Sequence, residues 1–200
     1  MQVAGQTATT HRQAGYNPSD DNWSLDLSIA GYIVPQDQSY ASPTFTADRK
    51  QFHFSTRYNY EDYHTGSVWF GYNVSAGNTF AIEITPMVGG VVGRTTGIAP
   101  GYLASASCKH VELSTEGEYV FDTRQTAGSF FYSWMELSYT PAEWIRGGFV
   151  AERTKAYHTG LDIQRGVLIG FSHKRLEFTT YVFNVGWTDP TVVISAAFHF

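Results

Sequence analysis

His53 and Ser55 stand two residues apart within Phe-His-Phe-Ser, so in an extended strand they share one face. A base beside a hydroxyl is the pairing that acyl transfer needs, the imidazole taking the proton as the serine oxygen attacks. Asn59 falls on the same face but is sequence-local, and no clear orienting partner for His53 emerges. A second and larger set is ionic. By strand parity Asp26, Glu83, Glu112, Glu116, Glu118, Glu136, Glu152, Asp162 and Glu177 fall on the polar faces of their strands, with Arg57 and Arg146 as the central cations. If those faces line water, they form an acid-rich wall that favours cations. If they are dry, the same residues must form carboxylate–arginine networks, because a buried charge has to be paired. Two arginines cannot pair the whole string Glu112, Glu116 and Glu118, which weighs toward a water-filled passage.

The elements that carry these residues are strands. From Trp23 onward strand patterns follow one another with almost no spacer: Trp23–Pro35, Tyr40–Ala47, Lys50–Tyr60, Ser67–Ala76, Thr79–Val92, Thr95–Ser107, Lys109–Phe121, Ser129–Thr140, Glu143–Tyr157, Leu161–His173, Arg175–Trp187 and Thr191–Phe200. Most exceed the roughly 5–6 residues of an average soluble strand and suit the ~9–11 that cross a membrane at a tilt. In Lys50–Tyr60, Phe52, Phe54, Tyr58 and Tyr60 oppose Gln51, His53, Ser55, Arg57 and Asn59. In Lys109–Phe121, Val111, Leu113, Tyr119 and Phe121 oppose Glu112, Ser114, Glu116 and Glu118. Alternation alone does not say which face is outside. Capacity decides, since twelve aromatic-rich faces would overfill a small soluble barrel and sit easily on a lipid-facing exterior. Pro86 with Gly89-Gly90, and Pro100 in the next strand, predict bulges or a local break, because proline cannot donate to a ladder. Tyr132 and Trp134 beside Glu136 imply aromatics in the lumen or a register shift.

Connections alternate in length. One set is tight: Asp48-Arg49, Gly77-Asn78, the Cys108 corner, Pro141-Ala142 and Lys174-Arg175. The other is usually longer: residues 36–39, 61–66, 122–128, 158–160 and 188–190. Short periplasmic turns and longer external loops are the habit of outer-membrane barrels, and an even strand count puts both termini on the short-turn side. Gly-aromatic pairs such as Gly71/Tyr72 and Gly101/Tyr102 read as barrel packing.

Composition agrees. Two hundred residues suit one small barrel, and 16% of them are aromatic, a load that fits membrane–water interfaces. No apolar run reaches the ~18–20 residues of a membrane helix, so only a barrel could span. A mean hydropathy of −0.23 fits strands with every second residue polar. The net charge of −5 argues against nucleic acid. Cys108 is the single cysteine, the scattered histidines lack metal-ligand spacing, and no phosphate-binding loop is present, so neither a metal nor a cofactor is expected. The first residues, Met-Gln-Val-Ala-Gly-Gln-Thr, are no signal peptide, and Met1 is taken to replace one already removed. Residues 1–22 read as a polar periplasmic or lumenal arm and 23–200 as the barrel.

The last ten residues place Val192, Ile194, Ala196, Phe198 and Phe200 on one face. This ending resembles the C-terminal signal of bacterial outer-membrane β-barrels, which the barrel assembly machinery reads. From Trp23 onward the chain resembles the small porin-like barrels in pattern, without a family-specific motif. The resemblance implies an all-β fold, a transmembrane antiparallel up-and-down barrel of about twelve strands, in the outer membrane of a Gram-negative-type bacterium. It implies a narrow passive channel for small or cationic solutes rather than an enzyme, with outer-membrane lipid and lipopolysaccharide as surroundings. His53 and Ser55 resemble the His-x-Ser pairing of outer-membrane phospholipase and lipid A deacylase barrels, which keeps a lipid-acting acyl hydrolase as the alternative, beside a non-conducting barrel of an envelope complex.

Three cations break the outer pattern. Parity brings Arg153, Lys155 and Arg165 to the apolar side, and a hairpin around residues 158–160 sets Arg153 roughly opposite Arg165. Like charges across a ladder repel, so either a lipopolysaccharide phosphate bridges them, or a bulge turns them inward to Glu152 and Asp162.

Overall fold

The computed structural model describes residues 22–34, 38–124, 128–156, 162–186 and 190–200; the expected arm lies outside them except for Asn22. The strands are β1 (Ser24–Ile33), β2 (Tyr40–Arg49), β3 (Phe52–Tyr58), β4 (Thr65–Tyr72), β5 (Val74–Ala76), β6 (Phe80–Gly93), β7 (Gly97–Cys108), β8 (Val111–Asp122), β9 (Phe130–Ala142), β10 (Ile145–Ala156), β11 (Asp162–His173), β12 (Leu176–Phe183) and β13 (Thr191–His199). Except for β4 and β5, which do not pair with each other, each pairs antiparallel with its sequence neighbours. β1 pairs with β13, from Asp26 opposite His199 to Ile33 opposite Val192, which closes the wall and leaves neither strand with a bare edge.

β4 and β5 both run along β6 in one unbroken register, so the thirteen segments make a twelve-stranded barrel. The gap between them has a cause. Continuing that register sets Tyr72 opposite Pro86, whose missing N–H interrupts the ladder at Asn73. Pro100 does the same on the β8 side of β7, where pairing skips from Ile98 to Gly101. The expected breaks are therefore confined to the neighbouring ladders, while β6 and β7 stay continuous. No register shift occurs between β8 and β9, so Tyr132 and Trp134 point into the barrel.

Tight connections fall at one end: residues 50–51, 77–79, 109–110, 143–144 and 174–175. The Cys108 corner is moved onto Lys109-His110, with Cys108 itself ending β7, and two others differ from expectation by more. The first is Lys50-Gln51 rather than Asp48-Arg49, and another is Glu143-Trp144 rather than Pro141-Ala142. Both shifts are two residues, which preserves the faces because the side-chain period is two.

The barrel is inverted relative to a water-soluble one. Phe52 is 69% exposed and Phe70 62%, on the same outer face as Leu27, Ile29, Val88, Phe149, Ile169 and Phe178. Inside, Trp69, Tyr132 and Trp134 are fully covered, although they share their strands' inner faces with buried Ser67 and Glu136. The Trp69 ring lies against Gly89, directly across the β4–β6 ladder; a Cβ at Gly89 would stand 2.5 Å from Cδ2 of that ring. The glycine–ring relation is thus between strands rather than between sequence neighbours.

Candidate functional site

The interior has two compartments. Toward the long-loop end, Tyr32, Trp69, Val91, Val120, Phe130, Tyr132, Trp134, Phe183 and Val193 pack into one apolar cluster. Trp134 meets Tyr181 and Phe183 edge-on, both with ring centroids 5.3 Å away. Toward the short-turn end, a polar cavity opens to solvent. Asp26, Asp48, His53, Ser55, Arg57, Glu83, Glu116, Arg146 and Glu177 line it, with Tyr60, Leu103 and Tyr181 as apolar tiles.

Arg57 on β3 stands at the boundary between the compartments. Its Nη1 donates to Glu118 Oε2 at 3.3 Å, and its guanidinium lies 4.3 Å from the Tyr60 ring centroid and 4.9 Å from that of Trp69. Tyr60 Oη in turn donates to Glu116 Oε1. Glu118 and Glu116 of the β8 string therefore have an arginine and a tyrosine as partners, the latter one that charge counting could not supply. Arg146 faces it from β10. Its Nη1 donates to Glu136 Oε2 at 3.1 Å and its Nη2 to Glu177 Oε1 at 2.8 Å and Thr179 Oγ1 at 2.9 Å. Gly170 lies across the ladder from Arg146 and leaves room for its side chain.

The β3–β4 connection folds inward, which alternation gave no means of seeing. Glu61 and Asp62 are buried there. Glu61 Oε1 accepts from Ser67 Oγ and from Trp69 Nε1, the latter at 3.1 Å. Asp62 Oδ2 accepts from Thr95 Oγ1 at 3.0 Å and meets Arg94 Nε at 3.6 Å. Burial pushes the Glu61 carboxyl above the ordinary range, an effect that Arg57, Ser67 and Trp69 only partly offset.

The His53–Ser55 pair faces inward, away from the outer apolar surface. His53 does have an orienting partner that the sequence hid. Nδ1 donates to Asp48 Oδ1 at 2.9 Å, and that oxygen also accepts from Asn73 Nδ2 at 2.7 Å. Asn59 is occupied elsewhere, bonding Ala41 O and the His64 amide. Among the described residues Ser55 Oγ and His53 Nε2 have no hydrogen-bond partner, so the nucleophile–base contact is not made. The Nε atoms of Arg57 and Arg146 likewise lack one.

Asp26, Glu83, Glu112, Glu136, Glu152 and Glu177 also lie on inner faces; Asp26 accepts from His199 Nδ1 across the β1–β13 seam. The side chains of Asp162 and Lys155 lie outside the described residues. Arg153 and Arg165 are exposed on the outer face, so the bulge that would turn them inward does not form. They are not directly opposite. Arg153 pairs with Ile163 and Arg165 with Ala151, a diagonal offset of one two-residue step that relaxes the expected repulsion. Among the described residues no histidine, cysteine and carboxylate cluster could hold a metal.

No family model matches this sequence, and no curated protein matches it. Solved structures do. A KdgM porin superposes with a TM-score of 0.66 at 14% identity, covering 88% of this chain and 99% of the porin. A KdgM porin in complex with disordered oligogalacturonate gives the same score, identity and coverage. The chain has the closed, twelve-stranded antiparallel barrel fold of these porins.

Proposed function

We propose that the chain spans the outer membrane of a Gram-negative-type bacterium and acts as a narrow, porin-like passive channel for small or cationic solutes. The observation that carries this reading is the inversion of a closed barrel: aromatic and aliphatic side chains outside, charge inside. Among the described residues, inner-face carboxylates outnumber Arg57 and Arg146, so the field at the cavity wall favours cations. A polyanion of the oligogalacturonate kind, named with the neighbouring porin, would meet repulsion here.

Single-channel recording in a planar bilayer under a salt gradient tests the reading. Cation-selective steps are expected, with selectivity reduced when Glu83 and Glu112, half-exposed on the inner wall, become Gln. The filled aromatic layer favours one competing reading, a barrel that does not conduct; no steps at any voltage would establish it. Acyl hydrolysis draws no support from a serine that lacks contact with its histidine.

Arg153 and Arg165 sit on the outer face toward the long-loop end, where lipopolysaccharide phosphates would meet them. Added lipopolysaccharide should raise the melting temperature of the wild type more than that of Arg153→Gln/Arg165→Gln. Equal stabilisation would remove the contact.

A further inference from the structure

Three of the tight connections put a lysine in left-handed backbone: Lys50 at φ 53°, Lys109 at φ 55° and Lys174 at φ 56°. Glycine and asparagine adopt that conformation far more readily than lysine, so turn chemistry does not account for the choice. What the three share is a charge and a place. All are exposed at the short-turn rim, with exposed Arg49 and Arg175 beside two of them. They are also evenly spread. Following the strand order around the wall, the β2–β3, β11–β12 and β7–β8 hairpins stand four strands apart, so lysine occupies every second position of this rim.

Charge is sorted among the described residues. Among the described residues Glu143 is the one exposed carboxylate, whereas Arg49, Lys50, Arg94, Lys109, Arg124, Arg153, Arg165, Lys174 and Arg175 are all exposed. Among these residues the acids thus turn inward and the cations face the surroundings, although the net charge of the chain is −5. The same rim carries exposed aromatics, including Trp23, Tyr72, Tyr139, Trp144 and Phe178. The Arg49 guanidinium lies 5.6 Å from the Trp23 ring centroid. Rings at the level of an interface, with long cationic side chains reaching past them, match the apolar edge and anionic surface of a bilayer leaflet.

We propose that the short-turn rim is a collar for acidic phospholipid headgroups, with Lys50, Lys109 and Lys174 as the phosphate contacts and Arg49 and Arg175 in support. The proposal rests on the membrane-spanning reading above. Its occupant follows from the geometry: a single macromolecule would meet one patch, whereas cations distributed around the full circumference meet what surrounds the barrel.

The test is the triple variant Lys50→Asn/Lys109→Asn/Lys174→Asn. Asparagine suits left-handed backbone, so the turns are retained while the charges go. Wild type and variant are refolded into phosphatidylcholine vesicles containing brominated phosphatidylglycerol, and quenching of the rim tryptophans Trp23 and Trp144 reports lipid association. With about 1 kcal/mol per cation at a membrane surface, and tenfold per 1.4 kcal/mol, the wild type should favour phosphatidylglycerol roughly fivefold per lysine site. That preference should fall toward parity in high salt and be lost in the variant. A variant that keeps the wild-type preference overturns the proposal, as does a wild type that shows none. If the wild type instead binds purified peptidoglycan through these lysines, the rim belongs to the cell wall. Failure to insert into any vesicle would defeat the membrane reading itself; insertion without lipid preference defeats only the collar.

Discussion

Replacing Arg57 by Met should destabilise the barrel by about 4 kcal/mol. The side chain is 5% exposed and that of its partner Glu118 2%, so neither charge can turn to water. Removing one partner of such a pair costs roughly 3–5 kcal/mol, because the remaining charge stays buried. The 3.3 Å separation is long for a charge-assisted bond, which places the ionic share toward the lower end of that range. Contacts of the guanidinium with Tyr60 and Trp69 add roughly 1–2 kcal/mol in a desolvated site. Methionine retains part of the packing, which brings the sum back to the stated figure. Urea unfolding in detergent micelles measures the loss, and Glu118→Gln closes a double-mutant cycle. The double variant should be less destabilised than the two single changes added together, with a coupling of about 2 kcal/mol. A loss below ~1 kcal/mol for Arg57→Met, the value of an exposed pair, would show that water reaches the site and that the compartment boundary is wet.

Two further outcomes follow from the same interior. Trp69→Ala removes the ring that packs against Gly89 at the boundary, so single-channel conductance should rise; unchanged conductance would place the constriction elsewhere. Glu61 titrates from a raised carboxyl value. Its contribution to stability is therefore fully present below the ordinary carboxyl range and is lost as pH rises through the folded value. Melting temperatures of wild type and Glu61→Gln, compared across that range, should show the wild type losing ground as pH rises, and parallel curves would contradict the assignment.

Period-two alternation made the faces legible from the residues alone. It put Glu116 and Glu118 inside and Phe52 and Phe54 outside, because a side chain's face depends only on its parity. Height along the barrel is a different matter. A two-residue slip leaves every face unchanged, which is why the Lys50-Gln51 turn was displaced and why Arg153 meets Ile163 instead of Arg165. Partners across the lumen depend on the stagger of all the strands together, so Arg57 and Glu118, 61 residues apart, carry no mutual signal in the sequence. The inward turn of Glu61 and Asp62 was hidden for another reason: two carboxylates in a polar connection read as solvent-facing until Ser67, Trp69 and Thr95 supply their hydrogen bonds. Trp69 itself was within reach, since Val68, Phe70 and Tyr72 occupy the other face.

The seam between β1 and β13 joins the two ends of the strand order, and the Asp26–His199 contact across it links residues 173 positions apart. Every other neighbouring pair can zip as soon as its hairpin is made. This one must wait for the whole wall, because loop-closure entropy is spent before the contact returns anything. Until then the growing sheet has two open margins, each able to join a second copy or an unrelated strand. A truncated translation product lacking β13 is therefore hazardous in a way that a point substitution is not, and closure of this last ladder is the event that turns a sticky curved sheet into a finished particle.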